Sequence, residues 1–261
     1  MEIKAVFLDI DGTLLSHTTE SVPLSAQRAI REAQARGVRV FAATGRHICE
    51  LDQLPLAGVE FDGYVLLNGA LCMDAARNVL FGCPLPAEAV AVIVERLRAR
   101  PLPCWFNEAQ YMYMNLVTED VLRVQDAIGS PVPPVEDPER ALVNEIYQLI
   151  PFVGEEDFAA LFSDLPGLNS TRWTSVSVDV INAHTSKTEG ILRLLAALGL
   201  PADAYLAVGD GANDAEMLRR APISVAMGNA EPVARAAADF VTGDIDDDGL
   251  AAALSRFGLC G

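Results

Sequence analysis

The sequence predicts an α/β protein, a Rossmann-like core of parallel strands with a smaller α+β domain inserted into it. Apolar strand segments alternate with amphipathic helices in the N-terminal and C-terminal parts of the chain, a pattern typical of parallel sheets covered by helices. The middle of the chain differs, because ten of the 15 prolines fall between residues 84 and 183. We therefore predict a core domain formed by residues 1–83 and 184–261, and an inserted domain formed by residues 84–183.

The N-terminal part supplies the first strands of the predicted sheet. Residues 4–8 form an apolar strand, and the apolar spacing over 24–36 predicts a helix that Gly37 ends. Two further apolar segments, 38–44 and 64–70, predict the next two strands.

The inserted part is predicted to contain a helix over 87–98, a hairpin over 103–115, and strands over 143–150 and 171–181. The core then resumes with a helix that begins at Ser186 and Glu189, which have capping-box spacing, and ends at Gly199. Strands are predicted over 204–210 and 223–227, and the acidic run 244–248 is predicted to be a solvated loop.

Composition excludes several functions. With 36 acidic and 19 basic residues, the net charge of −17 disfavours nucleic acid and anionic membranes as partners. No apolar run reaches the roughly 18 residues of a membrane helix, and charged residues interrupt the first apolar run, so no signal peptide is expected. The five cysteines are odd in number and lack Cys-x-x-Cys spacing, which argues against a disulfide framework or a zinc site. We expect a cytoplasmic protein with reduced thiols.

Four polar clusters stand at or next to predicted strand ends, where open parallel sheets bind ligands. They are Asp9 with Asp11 and Thr13, the segment Thr44-Gly45-Arg46, Lys187 at a helix start, and the segment GDGAND at 209–214. Asp9 and Asp11 are two residues apart, so an extended chain would point both carboxylates to one side.

These clusters would bring several carboxylates together. Two carboxylates ~4 Å apart repel by about 4 kcal/mol at an effective dielectric of about 20. If Asp9, Asp11 and Asp210 converge, a cation is required, and an all-oxygen ligand set favours Mg²⁺ over zinc. The alternative is that each aspartate caps a turn or a helix. That alternative is adequate for any single aspartate, notably Asp214, which opens a helix.

Lys187 is unusual in this chain, which contains only two lysines beside seventeen arginines. At the first turn of a helix its charge opposes the helix dipole, unless an anion binds there. Thr44 and Gly45 could offer a hydroxyl and a backbone amide to the same anion. The alternative is a lysine that faces solvent by chance.

These groups together suit phosphoryl transfer. Asp9 can attack phosphorus while a cation reduces the repulsion between the anions. Asp11 can protonate the leaving oxygen and then activate the water that opens the aspartyl-phosphate. Phosphate monoesters hydrolyse very slowly without a catalyst, which makes a two-step displacement advantageous.

The chain resembles the haloacid dehalogenase superfamily, in particular its Cof-type sugar phosphatases with a class IIB cap. The motifs DIDGTLL (9–15), ATGR (43–46), Lys187 and GDGANDAEML (209–218) carry the resemblance, with NGA (68–70) and VAMGNA (225–230) in support. The lysine motif, HTSKTEG, lacks the glycine that often follows the lysine.

The resemblance implies the haloacid dehalogenase fold and a role for each motif residue. Asp9 would be the nucleophile and Asp11 the acid/base, and 84–183 would form a cap that selects the substrate. Asp9, the Asp11 backbone carbonyl and Asp210 would bind Mg²⁺, and Asp214 would orient the water shell of the metal or Lys187. The residues that would hold the phosphate are Thr44, Gly45, Lys187 and Asn213.

The leading hypothesis is a Mg²⁺-dependent phosphatase acting on small phosphomonoesters, above all sugar phosphates. A hexose phosphomutase is the alternative; it would need a cationic cluster among the arginines of the insert for a second phosphate. A non-catalytic sensor is a third possibility. A membrane pump, which uses related chemistry, is excluded because pumps carry lysine where this chain has Asp11. Arg46, Asn68 and His184 are further candidate substrate contacts. The aromatic and polar residues at 105–107, 111–115 and Trp173 could line a pocket or fill the core. The substrate and the oligomeric state stay open.

Overall fold

The computed structural model describes residues 2–56 and 58–261, which divide into two compact units. The first unit comprises Met1–Gly45, Leu54–Phe81 and Ser186–Gly261. The second comprises Gly82–Thr185 together with the short segment Arg46–Gln53. The predicted boundaries place that short segment in the core domain, whereas its contacts group it with the second unit.

The first unit is built on an eight-stranded sheet. Its strands are β1 (Ala5–Leu8), β2 (Arg39–Ala43), β3 (Gly63–Leu66), β4 (Leu71–Asp74), β5 (Val79–Gly82), β11 (Tyr205–Gly209), β12 (Ile223–Ala226) and β13 (Phe240–Val241). Its helices are α1 (Leu24–Ala35), α6 (Lys187–Ala197), α7 (Ala215–Arg220), α8 (Pro232–Ala237) and α9 (Gly249–Arg256).

The strand order is β13-β12-β11-β1-β2-β3-β4-β5. The first six strands in this order pair in parallel, with Val6 of β1 between Leu206 and Val40 of its neighbours. The predicted α/β class is therefore confirmed. Three strands that are far apart in sequence, β11, β1 and β2, lie side by side, so their carboxyl ends share one edge of the sheet.

Apolar side chains explain why these strands are central. All four residues of β1 are buried, and Phe7 stacks on Phe41 at a centroid distance of 4.9 Å and meets the Tyr205 ring edge-on at 5.5 Å. Helix α1 buries one apolar stripe that includes Ile30 and Ala33. Gly37 follows this helix with φ of +83°, the left-handed conformation that glycine adopts at helix ends.

Several features of the first unit differ from the prediction. The strand predicted over 64–70 ends at Leu66, because a 3₁₀ turn at Leu67–Gly69 follows β3. The strand β4 pairs antiparallel with β3, and β5 extends that edge, although no strand was predicted for either segment. The acidic run at 244–248 also contains structure, because Ile245–Asp247 form a 3₁₀ turn with Ile245 buried. These features were not predicted, because short edge strands and single turns carry little periodic signal.

The second unit is built on a five-stranded sheet. Its strands are β6 (Cys104–Asn107), β7 (Met112–Met114), β8 (Gln148–Pro151), β9 (Leu168–Arg172) and β10 (Val178–Asn182). Its helices are α2 (Ile48–Leu51), α3 (Ala87–Ala99), α4 (Glu119–Ala127) and α5 (Glu155–Phe162). The order is β7-β6-β8-β10-β9, and each pairing is antiparallel.

The hairpin predicted over 103–115 corresponds to β6 and β7, but two other strand predictions were wrong in extent. The strand predicted over 143–150 begins only at Gln148, because a 3₁₀ turn at Pro138–Leu142 precedes it and Val143 is exposed. The single strand predicted over 171–181 is the end of β9, a turn, and most of β10. Its alternating polar and β-branched residues continue through the turn, where Trp173 donates its backbone N–H to Ser177.

The aromatic residues of this unit mostly fill its core. Phe106 and Tyr113 stack at 4.9 Å in an apolar cluster with α3, and Trp105 lies in a second cluster that includes Val121 of α4. Trp173 is the exception, with 39% of its surface exposed. None of the helices in the described residues is long and apolar enough to cross a membrane.

Candidate active site

Three of the predicted site residues follow three adjacent parallel strands. Asp9 comes directly after β1, Thr44 directly after β2, and Asp210 directly after β11. Because these strands are neighbours and run in parallel, the sheet places the three residues at one edge. Asp9 and Thr44 are buried, and Asp210 is partly exposed.

The two aspartates of the first motif are arranged by a turn rather than by strand alternation. The strand β1 ends at Leu8, and the chain then turns back so that both Leu14 and Leu15 donate their N–H groups to the carbonyl of Ile10. Asp11 still lies close enough to add to the negative potential at Asp9. The carboxylates within 4.8 Å of one another are those of Asp9, Asp210 and Asp214, so Asp214 stands in this cluster where Asp11 was predicted.

Lys187 lies between two carboxylates. Its Nζ donates to Oδ1 of Asp9 and to Oδ1 of Asp214, at 2.6 Å each, and its side chain is 2% exposed. Burial alone would lower the pKa of this ammonium, but the two carboxylates raise it above its ordinary value. Lys187 is therefore a permanent buried cation, and a lysine facing solvent is excluded.

Lys187 is placed by the start of α6. The helix begins at Lys187, and the Ser186 hydroxyl caps it by accepting the N–H of Glu189 at 3.3 Å. This fixes the backbone of the first turn, so the lysine side chain has a defined origin.

Asp214 organises the loop after β11. Its Oδ2 accepts the backbone N–H groups of Asp210 and Gly211, both at 3.0 Å, while its Oδ1 accepts from Lys187. The Asp214 side chain does not cap α7, the helix that this residue opens; it caps the preceding 3₁₀ turn at Ala212–Asp214 through the Gly211 N–H, and it also orients the buried cation. Asp214 is thus a positioning residue.

Asp210 is held by the first motif. The Thr13 hydroxyl donates to Oδ1 of Asp210 at 2.6 Å. A Cβ on Gly12, where φ is +80°, would lie 2.3 Å from Oδ2 of Asp210, so only glycine permits this approach. Burial raises the pKa of Asp210 to about 7; the Thr13 hydrogen bond works against this shift and Asp214 adds to it.

The acidic cluster fits a divalent cation. Each of Asp9, Asp210 and Asp214 offers a carboxylate oxygen, and these atoms all lie within 4.8 Å of one another. Burial raises the pKa of Asp9 well above its ordinary value, and the neighbouring Asp214, Asp210 and Asp11 raise it further. The single ammonium of Lys187 does not balance these carboxylates. The oxygen-only donor set is that of a hard cation, and such a cation would offset the negative charge of this site.

The predicted phosphate-binding residues also lie in the first unit. The Thr44 N–H donates to the carbonyl of Val65 at 2.9 Å, which anchors the loop after β2 to β3. Asn213 is exposed on a short turn at Ala212–Asp214, and its Nδ2 donates to Oδ1 of Asn68 at 3.4 Å. Gly45 lies against the same Asn68 side chain.

One residue of the site was not predicted. Asn229 follows β12, the next parallel strand, and its Nδ2 donates to the carbonyl of Gly12 at 2.7 Å. Its Oδ1 accepts the N–H of Ile245 at 3.0 Å, so Asn229 links the first motif to the C-terminal segment. The motif VAMGNA supported the family resemblance, and its position after a strand was the signal that could have identified Asn229.

Two candidate substrate contacts lie in the second unit. The Arg46 guanidinium lies 3.7 Å from Oε1 of Glu50 and 3.5 Å from the carbonyl of Ile128. His184 is exposed, and its backbone N–H donates to Oδ1 of Asn182. A substrate contact by either residue stays a prediction.

His47, also in the second unit, is buried and neutral at ordinary pH. Its Nδ1 accepts the N–H of Cys49 at 3.2 Å and caps α2, while its Nε2 lies 3.0 Å from the carbonyl of Glu108. Burial lowers the pKa of His47 to about 4. A second ring proton, on Nδ1, would break the hydrogen bond that Nδ1 accepts from Cys49, which agrees with a lowered pKa.

Known proteins resemble the chain over nearly its full length. The profile of the haloacid dehalogenase-like hydrolase family matches residues 6–254. The Bacillus subtilis protein named "Putative phosphatase YkrA" is 31% identical over 261 residues, which cover 99% of each chain.

Two solved structures are similar to this chain in both fold and sequence. BT1666 of Bacteroides thetaiotaomicron, a phosphatase of the superfamily, has a TM-score of 0.87 and 34% identity over 99% of this chain and 96% of its own. The subclass IIB sugar phosphatase BT4131 has a TM-score of 0.84 and 35% identity over 98% and 99%.

The chain belongs to the haloacid dehalogenase-like hydrolases. The predicted resemblance to the Cof-type phosphatases of this superfamily is confirmed, and so is the prediction of an enzyme of the phosphoric monoester hydrolase type. Phosphatases of this kind generally use a metal ion, in agreement with the acidic cluster.

Proposed function

We propose that the chain is a Mg²⁺-dependent phosphatase of small phosphomonoesters, chiefly sugar phosphates, and that it acts through an aspartyl-phosphate on Asp9. The observation that carries this proposal is the buried ion pair between Lys187 and Asp9. Asp9 and Asp210 follow adjacent strands, so the candidate metal ligands lie beside this pair. The sugar-phosphate part draws on the relatives, one of which is a sugar phosphatase.

In the first step, an oxygen of the Asp9 carboxylate forms a bond to phosphorus and the bond from phosphorus to the leaving oxygen breaks. Asp11 gives its proton to that leaving oxygen, so the alcohol departs neutral. Asp11 is half-buried, which leaves it accessible for this exchange.

In the second step, Asp11, now a carboxylate, takes a proton from water while the water oxygen attacks phosphorus. The bond from phosphorus to Asp9 breaks, inorganic phosphate forms, and the Asp9 carboxylate is restored. Mg²⁺ would be held by Asp9, Asp210 and the backbone carbonyl of Asp11, and would supply charge neutralisation. Thr44, Gly45, Lys187 and Asn213 would hold the phosphoryl oxygens.

In this proposal residues 84–183, which lie within the second unit, act as the cap that selects the organic part of the substrate. The proposal also takes the protein to be cytoplasmic, where sugar phosphates are available as substrates.

The test compares wild type, Asp9→Asn and Asp11→Asn on hexose phosphates, pentose phosphates and p-nitrophenyl phosphate, with Mg²⁺ and with a chelator. Wild type should release phosphate only with Mg²⁺, and Asp9→Asn should lose at least about 10³-fold in rate. Exposed Asp203 provides the control, since Asp203→Asn should be fully active.

Asp11→Asn separates the two steps. With p-nitrophenyl phosphate, whose leaving group needs no acid, this variant should release one equivalent of nitrophenol. It should then retain ³²P as an alkali-labile protein adduct, because no base activates the water. Activity in the presence of chelator, full activity of Asp9→Asn, or absence of the adduct would refute the proposal.

The phosphomutase alternative gains no support. A mutase needs free cations for a second phosphate, but all six arginines considered for that role are engaged. Their partners are Asp164 for Arg96, Glu139 for Arg98, Asp157 for Arg100, Asp120 for Arg123, Glu108 for Arg140, and the carbonyls of Val153 and Ser175 for Arg172. Conversion of a hexose 1-phosphate into its isomer without free phosphate would revive this alternative.

A further inference from the structure

Three consecutive residues after β3 have left-handed backbone conformations. The φ angles of Leu67, Asn68 and Gly69 are +52°, +54° and +96°. For leucine this conformation is strained, whereas asparagine tolerates it and glycine adopts it freely. Such strain persists only where the surrounding contacts enforce it, and it concentrates at functional sites.

This segment, 67–69, contacts the loop after β2. The Asn68 N–H donates to the carbonyl of Thr44 at 3.1 Å. Both Oδ1 and Nδ2 of Asn68 lie 3.2 Å from the point that a Cβ on Gly45 would occupy. Gly45 does not have a positive φ, so its own backbone does not require glycine. A larger residue at position 45 would have to push the Asn68 side chain aside by a few tenths of an ångström.

The same segment contacts the other two phosphate-binding candidates. Oδ1 of Asn68 accepts from Nδ2 of Asn213 at 3.4 Å. A Cβ on Gly69 would lie 2.0 Å from the carbonyl oxygen of Ser186 and 3.1 Å from the nitrogen of Lys187, so this turn packs directly on the start of α6. Segment 67–69 therefore touches Thr44, Gly45, Asn213 and Lys187, which approach it from three separate parts of the chain.

We propose that Asn68 is a positioning residue that sets the spacing between the Thr44–Gly45 backbone and the Asn213 amide, so that both reach one phosphate group. The inference rests on the proposed function. The strained turn is retained because it holds the carboxamide of Asn68 between these two groups. Asn68 acts through them and does not itself need to touch the phosphate.

The test measures the dissociation constant of inorganic phosphate, with Mg²⁺ present, by titration calorimetry. Asn68→Gly keeps the left-handed backbone and removes only the side chain, so it should fold with an unchanged melting temperature. We expect its phosphate dissociation constant to rise about tenfold. Arg77→Gly is the matched control: Arg77 also has a positive φ, of +66°, but lies in an exposed turn, so phosphate affinity should not change.

A second variant guards against misfolding of the first. Asn68→Asp keeps the size, the acceptor and the tolerance of left-handed φ, and adds a negative charge beside the phosphate. Its dissociation constant should rise at least as much as that of Asn68→Gly. If wild type binds phosphate and both variants bind it equally well, the inference fails and the proposed function stands. If wild type binds no phosphate, both fail.

A double-mutant cycle tests the contact itself. Gly45→Ala places a methyl group 3.2 Å from the Asn68 amide, so in the wild-type background it should weaken phosphate binding several-fold. In the Asn68→Gly background the space is free, and Gly45→Ala should have no further effect. Effects that multiply independently would contradict the positioning role.

Discussion

Replacing Lys187 by methionine should destabilise the first unit strongly. The change keeps an unbranched stem of four atoms but removes the ammonium that contacts Asp9 and Asp214 at 2.6 Å each. Because the three side chains are 2%, 8% and 0% exposed, water cannot replace the lost partner. Removing one partner of a buried ion pair costs about 3–5 kcal/mol, which is a large part of the free energy of unfolding of an ordinary domain.

The chain provides an unusually close control. Its other lysine, Lys4, forms an ion pair with Glu2 at the same distance of 2.6 Å, but both side chains are exposed. Solvent-exposed pairs contribute little, so Lys4→Met should leave the unfolding midpoint unchanged. The contrast tests burial rather than distance as the origin of the effect.

Urea unfolding in the presence of a chelator measures both variants. Far-ultraviolet circular dichroism follows the whole chain, whereas tryptophan fluorescence follows the second unit, which contains both Trp105 and Trp173. The Lys187→Met loss should appear in the dichroism transition. A loss below about 1 kcal/mol would refute the reasoning that the ammonium compensates buried carboxylates.

The destabilisation should also depend on pH. Lys187 lowers the pKa of Asp9, so its removal raises that pKa further above the unfolded value. Between the unfolded pKa of Asp9 and its raised folded pKa, the folded variant binds more protons than the unfolded chain. Its stability therefore falls as pH rises through this range. The penalty should therefore be greater near pH 8 than near pH 5. Adding Asp214→Asn removes one uncompensated carboxylate, so the double variant should lose less than the sum of the two single losses.

Three further predictions test the site and the second unit. Gly12→Ala should abolish phosphate release, because its Cβ would lie 2.3 Å from Asp210. Gly37→Ala is the control, because Gly37 has nearly the same φ but no atom lies within 4 Å of an added Cβ. It should cost about 1 kcal/mol of stability and leave kcat unchanged, and equal activity of the two variants would contradict the clash. Thr13→Val removes the hydroxyl donor to Asp210 and should weaken Mg²⁺ binding about tenfold in calorimetry, whereas an unchanged affinity would contradict that role. The His47 pKa is about 4 in the folded chain and 6.5 ordinarily, so the unfolded chain binds more protons between pH ~7.5 and ~5. Over this range the free energy of unfolding of wild type should fall by about 2 kcal/mol more than that of His47→Asn, a variant that keeps the helix cap. Equal pH dependence of the two in urea unfolding would exclude this.

The central part of the site could be predicted because it depends on strand ends. Asp9, Thr44 and Asp210 each follow an apolar strand that sequence alone identifies, and parallel strands end at one edge. The place of Lys187 followed from its helix start and its rarity. Its contact with Asp9 spans 178 residues of sequence, and periodicity gives no information on such a contact.

Other features could not be predicted, for physical reasons that differ. The Asn68-Gly69 pair signals a turn, but the left-handed φ of Leu67 has no local signal, because it depends on how this turn packs against the start of α6. The grouping of Arg46–Gln53 with the second unit depends on contacts such as the Ser130 hydroxyl with Glu50, 80 residues apart. Strand boundaries at Gln148 and Val178 depend on neighbouring turns, whose residues also suit strands.

Asp214 explains why the charged groups of the site act as one unit. One of its oxygens accepts from Lys187, and the other accepts the backbone N–H groups of Asp210 and Gly211. A single buried carboxylate therefore fixes both the cation that faces Asp9 and the loop that carries the metal-binding candidate Asp210. Because side chains so tightly shared cannot shift independently, a change at Asp214 should alter metal and phosphate binding together, whereas a change at Thr13 should act mainly through the metal.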